Sequence, residues 1–355
     1  MTRVLISALL LVACPLFGQK NKTQNVILVT LDGMRWQEVF NGADTTLMKQ
    51  QEHLKDARLR EKYWRTGLQS RREALFPFLW TTVAKQGQLF GNRQAGSLAN
   101  VTNRQWFSYP GYNEILTGKA DDERVDSNKK IYNPNINVLE FIQSKPGFAG
   151  KVAAFTSWDV FPYIINDKRN NILVSAGQVP VTQSPNDTEK LLNKLMMSIP
   201  NPLGTVRLDA FTFYYGLEYM KRTKPRVMYF GFDETDDFAH DGEYGAYLNS
   251  AHAIDAYLAE LWDFVQNHPA YKGKTTMIIT ADHGRGSGAE DWRDHGIETP
   301  GADQIWLAMI GPDTPAVGEV KSRKIYQNQI AQTVASLLGF DFKTDARQGD
   351  AIGNN

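Results

Sequence analysis

The chain contains six histidines, and three of them fall in Asp236-Asp-Phe-Ala-His240, Asp282-His283 and His295-Gly296, the first two of which also carry aspartate. Leu31-Asp32-Gly33 adds a further carboxylate. Carboxylates and imidazoles gathered at one place repel one another or stay unpaired unless a cation joins them. Mixed Asp/His sets suit zinc or a similar divalent ion.

These residues need a scaffold that brings them together. Val26–Leu31 is a continuous apolar, β-branched run, as expected of a strand buried on both faces, and similar runs recur at Val152–Phe155, Val227–Phe232, Thr275–Thr280 and Ile305–Ile310. Helix-sized or longer segments separate them. Strands alternating with helices predict an α/β fold with a central, largely parallel sheet and helices on both faces. The strongest helical pattern is Tyr244–Val265, where Tyr247, Ala251, Ile254, Leu258, Leu261 and Val265 form one apolar stripe. Thr188–Met197 and Gln327–Leu338 read as further helices, the latter closed by Gly339. In open α/β sheets ligands bind beyond the carboxyl ends of strands. Asp32, Asp233 to His240, and Asp282-His283 each follow a strand of this set, so one sheet edge is expected to collect them.

In order and spacing, Leu31-Asp32-Gly33, Asp236-Asp-Phe-Ala-His240, Ala281-Asp282-His283-Gly284 and His295-Gly296 resemble the metal-site motifs of the alkaline phosphatase superfamily, closest to its nucleotide pyrophosphatase/phosphodiesterase-like branch. Ser108-Tyr-Pro-Gly-Tyr-Asn-Glu-Ile-Leu-Thr117-Gly118 is similar to that branch's nucleophile segment. The likeness runs from Asn25 to about Phe342. It implies an alkaline phosphatase-like three-layer sandwich and a phosphoester hydrolase, phosphodiesterase or phosphomonoesterase, with a phosphoseryl intermediate on Ser108. It implies two divalent metal ions, zinc foremost, with manganese or calcium as rivals. One would be held by Asp32, Asp282, His283 and Ser108, the other by Asp236, His240 and His295.

The chain also departs from that family's pattern. Tyr112 stands where the formylglycine segment of sulfatases needs arginine, which argues against a sulfatase. After the strand Val152–Phe155 some monoesterases carry a Lys-x-Arg phosphate clamp, but this chain has Ser157-Trp158-Asp159-Val160. Arg285 or Lys168-Arg169 is the candidate replacement. Asn128 is the candidate phosphate-binding amide, with Asn133 as rival; Thr102 is the rival nucleophile. Ser108 also reads as a helix N-cap, with Glu114 and an apolar run following. Asp233 and Asp237 are expected in a supporting or solvated role. His252 is expected to face solvent, and Trp292 and Tyr109 to line the pocket or the core.

The 355 residues carry 39 Lys+Arg against 39 Asp+Glu, so no basic excess marks a nucleic-acid partner, and a small phosphorylated substrate is expected instead. One cysteine excludes a disulfide framework. Residues 1–18 read as a signal peptide, and Leu11-Val12-Ala13-Cys14 offers an alternative lipobox. Export to the periplasm or medium is expected, with membrane contact only through a lipid on Cys14. Residues 25–342 are expected to form one metallohydrolase domain, interrupted by a charged, exposed helical insertion around 45–73. A tail follows at 343–355. Two other functions fit the same residues: a phosphotransferase or mutase, and a metal-stabilised binding protein without turnover.

Overall fold

The computed structural model describes residues 21–50, 58–344 and 349–353, so the leader and Cys14 lie outside the described residues. Among the described residues eleven strands form in chain order: β1 (Asn25–Leu31), β2 (Gly87–Phe90), β3 (Leu98–Asn100), β4 (Val152–Thr156), β5 (Leu173–Ala176), β6 (Val227–Phe232), β7 (Thr275–Thr280), β8 (Gln304–Ile305), β9 (Leu307–Ile310), β10 (Gly318–Glu319) and β11 (Lys324–Tyr326). Eight of them make the main sheet, in the order β10-β2-β9-β7-β1-β6-β4-β5. The run β7-β1-β6-β4-β5 is parallel throughout, and β9 is antiparallel to both neighbours. Helices flank this sheet, which is the expected α/β architecture.

Every residue of β1, β6 and β7 is buried, which is why these strands read as unbroken apolar runs. Each buried Val, Leu, Ile, Phe or Met side chain among them contributes roughly 1.5–3 kcal/mol by leaving water. β1 pairs with β6 on one side and β7 on the other, with Leu31 opposite Phe232 and Thr30 opposite Thr280. The residues that follow these strands therefore emerge side by side at one edge.

The predicted strand Ile305–Ile310 is instead two strands. β8 joins a second, three-stranded sheet (β11-β3-β8), and only β9 enters the main one. The break falls at Trp306. Its indole donates to the Met34 carbonyl at 3.0 Å, and its own carbonyl is taken by Thr280 Oγ1 at 2.6 Å.

The helix Tyr244–Asn267 buries the predicted stripe. Thr188–Met197 falls within the helix Asp187–Ser198, and Gln327–Leu338 becomes a 3-10 turn followed by the helix Ile330–Leu337. The insertion is helical at Arg58–Tyr63 and Leu68–Leu75, but it is not simply exposed. Leu47, Met48, Leu59 and Tyr63 are buried, and Arg72 lies over the Trp80 ring at 3.6 Å. Apolar residues spaced among the charges dock this segment on the body. His252 does not face solvent as expected: it is half-buried, with Nδ1 2.8 Å from the Leu75 carbonyl and its ring edge-on to Tyr63. Trp292 is core, wedged against Tyr244 and Tyr247. The tail docks in part: Gly349 N donates to the Gly118 carbonyl, and Ile352 N to Thr333 Oγ1.

Candidate metal centre

Asp32 follows β1, Asp233 follows β6, and Asp282 and His283 follow β7 by one and two residues beyond Ala281. The helix Glu234–His240 carries Asp236 and His240 one turn apart, on one face. The helix Ser108–Thr117 brings Ser108 to the same place, with its Oγ 3.5 Å from His283 Nε2. His283 Nε2 lies 3.3 Å from Asp32 Oδ1, 3.5 Å from Asp282 Oδ2 and 3.7 Å from Asp236 Oδ1. Asp236 Oδ2 is 3.2 Å from His240 Nε2, and its Oδ1 is 3.8 Å from His295 Nε2. The His295 ring stacks on His283 at 4.0 Å between centroids.

Two sets of ligand atoms are close enough to share one ion each: Asp236, His240 and His295, and Asp32, Asp236 and His283. The first is the predicted second-metal set. The second places Asp236 between the two positions, with Asp282 Oδ2 and Ser108 Oγ flanking His283.

The donor chemistry fits a pair of divalent cations. Asp32 Oδ1 and Asp282 Oδ2 are buried without a hydrogen-bond donor. His240 Nε2 and His295 Nε2 face each other at 3.0 Å. Orphaned carboxylate oxygens are costly unless a cation sits among them, and imidazole nitrogens turned toward one another can share one.

The acid–base behaviour of the metal-free chain says the same. Burial, then the Asp236 charge, pushes Asp32 up to about 7. Burial and the neighbouring Asp32 push Asp233 and Asp282 well above the carboxylate range. Asp237 rises to about 7 through burial and Asp236. Burial lowers His283 to about 4; burial and then His283 lower His295 to about 3. Asp236 is the exception. Against the upward push of burial, the Arg285 guanidinium holds it well below the usual range. A hydrogen bond to Asp236 in turn raises His240.

Second contacts hold the ligands in place. Tyr112 donates to Asp32 Oδ2 at 2.8 Å, Gly33 N to Asp282 Oδ1 at 3.0 Å, and Gln327 Nε2 to the Asp282 carbonyl at 2.6 Å. Gly33 has φ +57° and no room for a side chain, since a Cβ there would sit 2.7 Å from Arg285 Nε and from Asp236 Oδ1. The buried pair Arg35–Glu38 ties the segment after Asp32 to the Gly286 carbonyl, at 3.0 Å from Arg35 Nη1.

Arg285 is buried against Asp236, the Gly33 and Asp236 carbonyls at 3.2 Å, and the Arg293 carbonyl. Asn128 sits beside Ser108: its Oδ1 accepts from Tyr109 N at 3.0 Å. The rival Asn133 is fully buried and spends its side chain on Asn113 and Asn135. Thr102 Oγ1 is bound to Glu114 Oε1, away from a nucleophile's role. Ser108 is the first helical residue, and Phe107 holds the cap position without a side-chain cap. Lys168 lies over the Tyr132 ring, and Arg169 pairs with Glu140.

Comparison with known proteins agrees with this geometry. A family model described as the Metalloenzyme superfamily matches residues 186–341, the span that holds Asp236, His240, Asp282, His283 and His295. Among curated proteins no relative matches by sequence. Among solved structures, a protein in the alkaline phosphatase superfamily from Vibrio parahaemolyticus superposes with a TM-score of 0.52 at 14% identity, covering 92% of this chain and 68% of that one. Phosphonate monoester hydrolase of Agrobacterium radiobacter gives 0.58 at 13% identity, covering 93% and 76%. Murine ectonucleotide pyrophosphatase/phosphodiesterase 5 in complex with AMP gives 0.53 at 12% identity, covering 92% and 97%.

This chain has the alkaline phosphatase superfamily fold. Within that fold the sequence motifs are explained by strand ends, but several supporting residues carry no motif. Tyr112 was legible in principle, because it lies one helical turn after Ser108 and shares its face. Glu114 and Gln327 act on the backbone of distant loops, and spacing does not announce that. Asp233, expected in a supporting or solvated role, is buried next to Asp32, because strand pairing sets Phe232 beside Leu31.

Proposed function

We propose that this chain is a two-metal phosphoester hydrolase in which Ser108 is the nucleophile. The observation that carries the reading is the place of Ser108 Oγ, at a helix N-terminus and 3.5 Å from His283 Nε2. There it stands among carboxylates and imidazoles, of which Asp32 Oδ1 and Asp282 Oδ2 lack a hydrogen-bond donor. Asp32, Asp282, His283 and Ser108 would hold one divalent cation, and Asp236, His240 and His295 the other. Zinc is the ion this mixed oxygen and nitrogen set favours. When bound, the two ions supply positive charge that favours the serine alkoxide and stabilises the transferring phosphoryl group.

The chain's own residues do the rest. Ser108 Oγ attacks phosphorus as the leaving oxygen departs, and a phosphoseryl ester forms. Water then attacks that ester from the side the leaving group vacated and returns the serine. The N-terminus of the Ser108–Thr117 helix directs backbone N–H groups at the developing negative charge. The Asn128 amide is held beside the nucleophile through Tyr109 N and is free to donate to a phosphoryl oxygen. Arg285, bonded to Asp236 and to three carbonyls, orients Asp236.

We further propose a preference for diesters over monoesters. A monoester presents an extra negative charge, which relatives meet with a Lys-x-Arg clamp. Here the position after β4 holds Ser157, which is buried and bonded to Asp209 and Thr212, and then Trp158 and Asp159. Asp159 pairs with Lys130 at 2.6 Å. Arg285 and Arg169 are committed to protein partners. Export through the leader, with a lipid on Cys14 as the alternative to simple cleavage and the only membrane contact, belongs to the same proposal. Among the described residues no helix is long and apolar enough to cross a membrane.

The test is a pair of kcat/KM values, on a chromogenic phosphate monoester and the matching diester, with zinc-loaded wild type and Ser108→Ala. Loss of more than about 10³-fold in the variant is expected for removal of a nucleophile. An unchanged rate would end the nucleophile assignment. A monoester preference would end the diester one.

A further inference from the structure

The loop that precedes Ser108 is tied to two parts of the site at once. Glu114 lies on the Ser108 helix and is fully buried. All five of its hydrogen-bond contacts come from donors in that loop. Thr102 N lies at 2.8 and 3.0 Å from the two oxygens, Thr102 Oγ1 at 2.8 Å, Asn103 N at 2.7 Å and Asn103 Nδ2 at 2.8 Å. Asn103 is itself buried, and its Oδ1 accepts from Gln105 N at 3.1 Å and Trp106 N at 3.0 Å.

Held this way, Trp106 adopts φ +53°, which a bulky residue rarely takes without outside support. The Trp106 carbonyl accepts from Gly296 N at 2.9 Å and lies 3.3 Å from His295 Nδ1. A carbonyl only accepts, so Nδ1 carries the proton. The Nε2 lone pair is then left toward Asp236 and His240. Partners of this kind fix the tautomer and ring orientation of a ligating histidine.

We propose that Glu114 is a positioning residue: through Asn103 and the strained Trp106 it fixes the tautomer and placement of His295 relative to Ser108. The nucleophile and one ligand of the second metal position are thereby registered from a single helix. A side chain that merely completed the core would have no reason to gather four donors from one loop. Nor would it lead, bond by bond, to a ligand on a segment more than 180 residues away. The inference rests on the two-metal reading.

The test is a zinc titration against a chromophoric chelator, with kcat and KM measured alongside, on wild type and Glu114→Gln. The amide of Gln keeps one acceptor oxygen but sets an NH2 donor against donors where Glu114 offered its second oxygen, which loosens the loop. The first zinc is expected to bind as in wild type and the second 10–100-fold more weakly, the usual effect of losing such a partner. kcat should fall while KM holds, and excess zinc should restore part of kcat. Wild-type affinity for both ions would overturn the proposal. So would equal weakening of both, the mark of general loosening.

Should Glu114→Gln not fold, Asn103→Ala decides: it keeps the carboxylate and removes the hold on Trp106, and the same split is expected. In nitrogen-15 spectra of the metal-free wild type, the proton of His295 is expected on Nδ1; finding it on Nε2 would also overturn the proposal. Wild type that takes up fewer than two zinc ions would refute the two-metal reading itself. Wild type that binds two, with variants indistinguishable from it, would refute only the relay.

Discussion

Gly111→Ala tests how closely the nucleophile helix must approach the metal ligands. A Cβ at Gly111 would sit 2.4 Å from the Asp282 carbonyl oxygen, 3.0 Å from its carbon and 3.2 Å from the Asp282 Cβ. Ordinary contact begins at 3.4 Å, so the helix or the Asp282 backbone must give by about 1.0 Å. Neither yields easily, because Gln327 and Gly33 pin the Asp282 side and Tyr112 pins the helix to Asp32. Alanine in a helix interior is worth about 1 kcal/mol over glycine, and overpacking costs about 1–3 kcal/mol. The net change in stability is therefore a loss of up to about 2 kcal/mol. Activity should suffer far more. A misplacement of about 1 Å between nucleophile and reacting centre costs on the order of 10²-fold. The assay is kcat/KM for the diester well below the melting temperature. The control is Gly216→Ala, whose Cβ would meet the Phe230 ring at 2.2 Å. That variant should lose stability and keep its rate. A Gly111→Ala enzyme with wild-type kcat/KM would show that Ser108 is not held to the metal ligands by this contact.

Other perturbations have definite signs. In the metal-free chain Asp32 is raised from 3.8 to about 7 by burial. Its contribution to stability is then complete below about pH 4 and is lost as pH rises through about 7. With zinc bound the carboxylate stays ionised, and stability should instead fall on acidification. Melting temperatures at pH 5 and pH 8, in chelator and in zinc, should show opposite slopes; equal slopes would contradict the assignment. Arg285→Met removes the partner of a mostly buried carboxylate, which costs up to about 3–5 kcal/mol when nothing replaces it. The drop in melting temperature should therefore be larger in chelator than in zinc, because the cation balances Asp236. An equal drop in both would mean that Asp236 does not face the metal.

Asp32, Asp282 and His283 were legible because they sit just past strands whose apolar runs are hard to mistake, and Asp236 and His240 because they ride the helix that follows β6; Ser108 and His295 lie farther from any such strand. β1, β6 and β7 are buried on both faces, so their ends could be found and their aspartates placed. The break at Trp306 was not legible, because hydrophobicity continues across it and only the hydrogen bonds of its indole and carbonyl reveal the change of sheet. The insertion looked exposed because charge dominates its composition. The few apolar residues that dock it, Leu59 and Tyr63 among them, are too sparse to form a clear stripe. The lock on Arg285 was hidden for another reason: a guanidinium beside a metal motif reads equally well as a substrate clamp until its acceptors are seen.

The supporting residues share a feature that bears on mechanism. Ser108, Gly111 and Tyr112 stand at positions i, i+3 and i+4 of one helix and so share a face. That face offers the hydroxyl, the close backbone approach to Asp282 and the hydrogen bond to Asp32. Glu114, farther along, reaches back to the loop that holds His295. One rigid element thus contacts both candidate metal positions by separate routes. In-line displacement requires the attacking oxygen and the group that receives the developing charge to keep a fixed separation, and preorganisation of this kind is where most of the rate enhancement arises. A binding protein without turnover has no need for such registration of a hydroxyl, which is the physical reason to favour catalysis for this chain. The same reasoning predicts that variants along this helix lose kcat before they lose metal at the first site, whereas variants of Asp282 or His283 lose both together.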